Sequence, residues 1–292
     1  MKRALVTGAT GFLGRRLCAA LQAQGVRVDA VVRAAPRGPA PFTPRRHDGT
    51  MRSMSRIVAQ ARPDAAFHLA ALASYDHAEN DVDALLDANL RLGVHLAEAC
   101  ARRGRGVLVS AGTYWQHAGG TARYEPVSLY AAMKQGFQDI AAYYAAATPL
   151  RVATVQLCDV YGPGDPRGKV LGQLDAARAA GCPLKLSPGR QLVDLIHVDD
   201  AAAALIRAAR ALRSAPALSG SVWTVSSRRR RTLREIVAAY AQAAGKVEVI
   251  WGGRPYRERE VMRPWRGPSV PGWKPRVGLT EGLADCAAAR TS

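Results

Sequence analysis

The segment KRALVTGATGFLG, residues 2 to 14, constrains the fold more than any other. A short apolar run enters a turn with glycines at 8, 11 and 14, and helical spacing follows from Arg15 to Gln24, with Gly25 as its stop. In that order the elements leave backbone N–H groups at a positive helix end, where glycines without Cβ atoms let a pyrophosphate approach. Gly8, Thr10, Gly11, Phe12, Leu13 and Gly14 are therefore the candidate contacts to a dinucleotide.

The same alternation continues. VRVDAVVR reads as a second strand, followed by DAAFHLAAL (64–72), a helix around Val82 to Arg102, RGVLVSAG (105–112), a helix through Tyr130, and LRVATVQLCDV (150–160). Strands separated by helices predict an α/β fold, a doubly wound parallel sheet with helices on both faces. Beyond Tyr161 the texture changes, and prolines from 183 to 275 interrupt regular elements. The expected division is a dinucleotide-binding domain over 1–165 and a smaller substrate-binding region over 166–292, with strands near 194–198 and 221–225 returning to the main sheet. Thr232 and Glu235 form a capping box, which gives the arginines at 228–231 a structural neighbour and no role of their own.

A net charge of +18 raises the question of nucleic acid, but the basic residues are spread along the chain and no nucleic-acid-binding motif accompanies them. An anionic small substrate accounts for the same charge. The five cysteines lack metal-ligand or disulfide spacing, and His197, Asp199 and Asp200 in IHVDD read as a helix cap, so no metal is expected. No apolar run reaches membrane-spanning length and the N-terminus does not read as a signal peptide, so a cytoplasmic protein without a membrane partner is expected.

Tyr130 and Lys134 stand four apart in SLYAAMKQGF, on one helical face. A phenol with an ordinary pKa near ~10 is a sluggish acid at neutral pH, and a neighbouring ammonium is expected to lower it. The second strand ends at Arg33, with Asp29 too early to reach its tip; a cation there, with Arg37 beside it, favours the 2′-phosphate of NADP over NAD.

TGATGFLG, DAAFHLAA, Asn89 in ANLRLG, YAAMK, YGPGD, DLIHVDDAAAA and GWKPRVGLTEGL together resemble the extended short-chain dehydrogenase/reductase family, over essentially the whole chain. GTYWQH followed by PVSLYAAMKQGF is similar to its nucleotide-sugar 4-ketoreductases of the CDP-paratose and CDP-abequose synthase type. The resemblance implies NADPH reduction of a nucleotide-diphosphate 4-keto-6-deoxyhexose, with Tyr130 as acid, Lys134 on the nicotinamide ribose and a Ser or Thr hydroxyl on the carbonyl. The usual hydroxyl position falls on Gly112; Thr113 is chosen, with Ser110 as the alternative. Leu69, Ala70, Ala71, Asp48 and Asn89 are implied around the cofactor, and Trp115, Gln116 and His117 around the sugar. Relatives carry an arginine before Asp194, where this chain has Val193, so Arg257, Arg259 and Arg263 become the diphosphate candidates. A homodimer is common in such proteins. Tyr114 and Trp115 stand where dehydratases carry carboxylates, which disfavours dehydration. A 4-epimerase that retains NAD, and a cofactor sensor without catalysis, are the competing readings.

Overall fold

The computed structural model describes residues 1–36, 38–104 and 106–291. Its first half runs β1 (Arg3–Thr7), α1 (Phe12–Gln22), β2 (Arg27–Val32), β3 (Thr43–Arg46), α2 (Met51–Ala61), β4 (Ala65–His68), α3 (Val82–Leu86), α4 (Leu92–Arg102), β5 (Val107–Thr113), α5 (Leu129–Ala147) and β6 (Arg151–Leu157). There follow β7 (Asp159–Tyr161), α6 (Val170–Ala180), β8 (Leu184–Leu186), β9 (Leu192–Val193), β10 (Leu195–His197), α7 (Val198–Ser214), β11 (Val222–Val225), β12 (Arg231–Thr232), α8 (Leu233–Ala244), β13 (Val249–Trp251) and α9 (Leu279–Thr291).

Seven strands form a parallel sheet in the order β11-β6-β5-β4-β1-β2-β3. Helices cover both faces, so central strands such as AAFH of β4 are buried throughout. Leu17 of α1 and Leu205 of α7 pack with Val6, Val109 and Val155 on one face. Ile57, Leu96 and Phe137 pack with Leu5, Leu108 and Val152 on the other. Asp29 is the polar exception inside β2: fully buried, it accepts from Arg45 Nε at 2.7 Å and Arg27 Nε at 3.2 Å.

The chain reverses its direction of growth at β1, whose neighbours are β2 and β4. Such a switch point opens a crevice beyond the carboxyl ends of these strands. A third core, with Leu174, Leu186, Tyr240 and Leu283, organises the later elements. Val270 and Trp273 nevertheless pack into the main core, so the last segment folds back on the sheet.

The strand near 221–225 is β11 at the sheet's edge, but the one near 194–198 takes another place. β10 pairs with β7 in a separate two-stranded sheet. β11 ends at Val225, whose carbonyl accepts from Cys158 N at 3.1 Å; the strand continuing past Cys158 as β7 takes β10 as its neighbour instead. β9 and β12 form a short antiparallel pair that sets Arg231 opposite Val193. Among the described residues no helix is long and apolar enough to cross a membrane.

Candidate active site

The glycine turn is tight for steric reasons. Gly8 has φ +72°, and a Cβ there would stand 2.6 Å from Ala70 N; a Cβ at Gly14 would stand 2.0 Å from the Gly8 carbonyl oxygen. The first turn of α1 thus lies directly on β1, beside the backbone of Leu69 and Ala70. Gly11 is the N-cap of α1 and supplies no side-chain cap, leaving the helix's first N–H groups open to an anion. These features fit the diphosphate of a dinucleotide.

Ala70 N donates to Thr7 Oγ1 (3.2 Å), and that hydroxyl also bonds His68 Nδ1 (2.8 Å). Burial, reinforced by the nearby Lys134 charge, pushes His68 down to about 3, so its imidazole is neutral. Ala71 is exposed on the rim. Asn89 is fully buried in a π-helical turn, Asp87–Arg91, between α3 and α4. Its Nδ2 donates to the carbonyls of Leu72 and Leu85, each at 3.0 Å, tying the loop after β4 to the helix.

At the end of β2, Arg33 is exposed, while Asp29 faces the two arginines inside the sheet. Arg37 lies outside the described residues. Asp48 follows β3 and accepts from Thr50 N (2.9 Å) and Thr50 Oγ1 (2.6 Å), which keeps its carboxyl below the ordinary range.

Ser128 caps α5, its Oγ accepting from Ala131 N at 3.3 Å, and sets the register in which Tyr130 and Lys134 share a face. The Lys134 ammonium lies 5.9 Å from the Tyr130 ring centroid. Here the expected electrostatics need correction. Burial pushes the Tyr130 phenol up to about 12, and the opposing cation is Arg167 rather than Lys134. Lys134 is itself pushed down to about 8 by burial. Arg167 rests 4.7 Å over the Phe12 ring, its Nη2 donating to Val160 O, and Asp165 holds its Nε and Nη2 at 2.6 Å.

Trp115 meets Tyr130 edge-on at 6.1 Å and Tyr75 at 5.8 Å. Arg257 lies 4.3 Å over the Tyr75 ring, and Arg259 N donates to Tyr75 Oη at 3.2 Å. Of the expected arginines, Arg257 thus brings its guanidinium to Tyr75, a residue that sits in no sequence motif, whereas Arg259 meets it through the backbone alone.

Thr113 ends β5, and its Oγ1 accepts from Trp115 N at 3.2 Å. Ser110 is inside the strand, bonded to Thr154 Oγ1 at 2.9 Å. Gly112 is glycine for lack of room: a Cβ would stand 2.9 Å from Gln156 Cγ and 3.0 Å from Gln116 Oε1. Gln116 and His117 are corrections to the expected sugar pocket. Gln116 is fully buried, accepting from Thr113 N (3.0 Å) and donating to Gln135 (2.7 Å) and Gln138 (3.2 Å). His117 bonds Arg123 O at 3.0 Å and stacks on Trp265 at 4.3 Å. Both turn inward because the 3-10 turn after Thr113 directs only its first two side chains, Tyr114 and Trp115, to the aromatic cluster. Tyr114 donates to Asp159 Oδ2 (2.6 Å), and Lys169 Nζ donates to Asp159 Oδ1 (2.6 Å).

Arg263 stands apart from Arg257 and Arg259, in a cleft shared with Arg266 and the run Arg228–Arg231. The run Arg228–Arg231 therefore faces other arginines, and Arg231 stands across from Val193. His197 caps α7, and Asp200 accepts from the backbone N–H groups of Arg276 and Val277.

A sheet of this order with a glycine turn at its switch point defines a dinucleotide-binding enzyme of the Rossmann type. The chain belongs to the NAD dependent epimerase/dehydratase family, whose profile matches residues 4–223. It is similar to the CDP-abequose synthase of Yersinia pseudotuberculosis, 24% identical over 90% of this chain and 91% of that one. The dTDP-6-deoxy-L-talose 4-dehydrogenase (NAD(P)(+)) of Kitasatospora kifunensis is 30% identical over 97% of this chain and 94% of its own. Among solved structures, the UDP-glucose 4-epimerase of Thermus thermophilus in complex with NAD superposes with a TM-score of 0.82 at 29% identity, covering 98% of each chain. The chain is thus an enzyme of the NAD dependent epimerase/dehydratase family.

Proposed function

We propose that this chain reduces the 4-keto group of a nucleotide-diphosphate 4-keto-6-deoxyhexose with NADPH, in deoxysugar biosynthesis. The observation that carries this reading is the half-buried Tyr130 sharing a helical face with the buried Lys134, its ring edge-on to Trp115 in a cluster of aromatic side chains suited to a sugar. NADPH, when bound, supplies the hydride to the carbonyl carbon. Tyr130, kept protonated by burial, gives its proton to the carbonyl oxygen, so that the ketone becomes a secondary alcohol. Lys134 holds the ribose, and Arg167 stabilises the phenolate as it forms; solvent then returns the proton. Thr113 holds the carbonyl, while Trp115 and Tyr75 offer apolar walls to the sugar.

Arg33 supports NADPH, because no carboxylate stands at the tip of β2: Asp29 is buried and held by arginines. The likeness to CDP-abequose synthase supports ketoreduction. We read the enzyme as a cytoplasmic homodimer.

The test is to incubate the protein with NADPH and a panel of nucleotide-linked 4-keto-6-deoxyhexoses and follow NADPH absorbance. Tyr130→Phe is expected to cut kcat by roughly 10²–10⁴-fold with NADPH affinity nearly unchanged; unaltered turnover would eliminate the mechanism. A 4-epimerase is the second reading, favoured by 28% identity to the UDP-glucose 4-epimerase of Mycolicibacterium smegmatis over 97% of the chain. Tightly held NAD, with no net NADPH consumption, would select it.

A further inference from the structure

Behind the aromatic cluster, Gln116, Gln135, Gln138 and Gln156 form a network of amides. Thr113 N donates to Gln116 Oε1 at 3.0 Å, Gln116 Nε2 donates to Gln135 Oε1 at 2.7 Å, and Gln135 Nε2 donates to Asp139 Oδ1 at 2.8 Å. Donors and acceptors thus run in one direction, from the last residue of β5 to an exposed carboxylate on α5, so that each amide polarises the next. Reversing the Gln116 amide would set its NH2 against Thr113 N–H and its oxygen against Gln135 Oε1, which leaves it one orientation. A second branch uses the other hydrogen of the same amide. Gln138 Oε1 accepts from Gln116 Nε2 and from Gln156 Nε2, both at 3.2 Å.

This network costs stability. Gln116 is fully buried and Gln156 nearly so, and Gln156 Oε1 is buried without a hydrogen-bond partner, a penalty that a leucine of similar size would avoid. Gly112 belongs to the same arrangement. A Cβ there would stand 2.9 Å from Gln156 Cγ and 3.0 Å from Gln116 Oε1, so a serine or threonine at 112 would displace the glutamines. The hydroxyl at 113 and the amides beneath it therefore form one solution: the side chain that holds the carbonyl comes one residue late, and the space before it is given to the network.

We propose that Gln116, Gln135 and Gln138 are positioning residues, whose amides lock Thr113 to the helix that carries Tyr130 and Lys134. Gln138 continues the row of Tyr130 and Lys134 by one more step of four along α5. The turn is also docked at the start of that helix, where Trp115 O accepts from Val127 N at 3.0 Å just before the Ser128 cap. Two separated attachments leave the turn little freedom to swing. Thr113 Oγ1 accepts from Trp115 N, so its own hydrogen remains to meet the carbonyl oxygen that Tyr130 protonates. A hydroxyl and a phenol that must reach one oxygen act only in narrow geometry, and a misplacement of about 1 Å costs up to roughly 100-fold. The effect on turnover rests on the reductase reading; the lock on Thr113 does not.

Gln116→Leu keeps the size of the side chain and removes all three bonds. It is expected to lower kcat for keto-sugar reduction by roughly 10- to 100-fold, with KM and the Kd for NADPH within about twofold. Because Gln116 acts through Thr113, the same change in a Thr113→Val background should cost no more than about twofold. Should Gln116→Leu not fold, Gln135→Leu on the half-buried face of α5 is expected to lose about threefold and to show the same lack of additivity. Equal losses in both backgrounds, or a raised KM at constant kcat, would overturn the proposal, the latter returning Gln116 to the sugar pocket. Amide exchange followed by NMR without substrate reads the lock apart from the reaction. Thr113 N–H should exchange about tenfold faster or more in Gln116→Leu while Val109, earlier in β5, keeps its rate; no change at Thr113, or equal acceleration at both, would overturn the lock. Faster exchange confined to Thr113 in a protein that reduces no keto sugar would sink the reductase reading and keep the lock, whereas reduction with additive losses does the reverse.

Discussion

Lys134 shows how far function can oppose stability at a single side chain. It is 3% exposed, and no described carboxylate pairs with it. Its pKa falls from 10.5 to about 8 on burial, so between those values the unfolded chain binds the proton more tightly and stability rises with pH. Below that window the penalty stands in full. Lys134→Met is therefore expected to stabilise the cofactor-free protein near neutral pH by on the order of 1–3 kcal/mol, an advantage that shrinks towards about pH 10, while turnover collapses. Urea unfolding at the two pH values checks this; a variant less stable than the wild type at neutral pH would mean that the ammonium is well compensated. Reduction by the wild type should also decline as pH rises through about 8, as Lys134 loses its charge while the phenol, at about 12, keeps its proton. The Tyr130–Lys134 spacing was legible because i,i+4 geometry is local. Its electrostatics were not, since they depend on packing by Trp115 and on the charge of Arg167, neither of which the i,i+4 spacing reveals.

Among the elements, the alternation of strand and helix was readable because parallel strands covered on both faces are nearly continuous apolar runs. The partner of β10 was not, because it depends on β11 stopping at Val225 while the neighbouring strand runs on. The helix through Val82 to Arg102 likewise hides a π-turn at Asp87–Arg91, where an added residue of winding turns Asn89 into the protein. Asn89 joins that turn to the loop carrying Ala70 and Leu72 beside the glycine turn. Asn89→Ala removes both donated bonds and leaves the Leu72 carbonyl without this donor. It is expected to destabilise the fold by about 1–3 kcal/mol and to raise the Kd for NADPH with a smaller effect on kcat. Chemical denaturation and cofactor titration measure the two effects; an unchanged Kd would detach the turn from cofactor binding.

Across the whole molecule, the +18 charge was visible in composition, but where it concentrates was not. Arg228–Arg231 and Arg263 lie more than thirty positions apart, and only the fold of the 261–266 segment against β9 sets them face to face: Leu192 N donates to Met262 O at 2.9 Å. A positive protein with its cations gathered in a cleft should attract an anionic substrate from a distance, and that attraction is screened by salt. The screening length shrinks from about 30 Å at 0.01 M ionic strength to about 8 Å at 0.15 M. Over that range kcat/KM for a nucleotide-diphosphate sugar is expected to fall by roughly tenfold with kcat nearly constant, because proton transfer occurs among groups already buried around Tyr130. An Arg230→Gln/Arg231→Gln variant should start lower and fall less steeply. Steady-state kinetics at several salt concentrations distinguish this from a diffuse effect of net charge, since two substitutions among so many cations barely alter the total. Parallel slopes in wild type and variant would assign the attraction to the surface as a whole and not to the cleft.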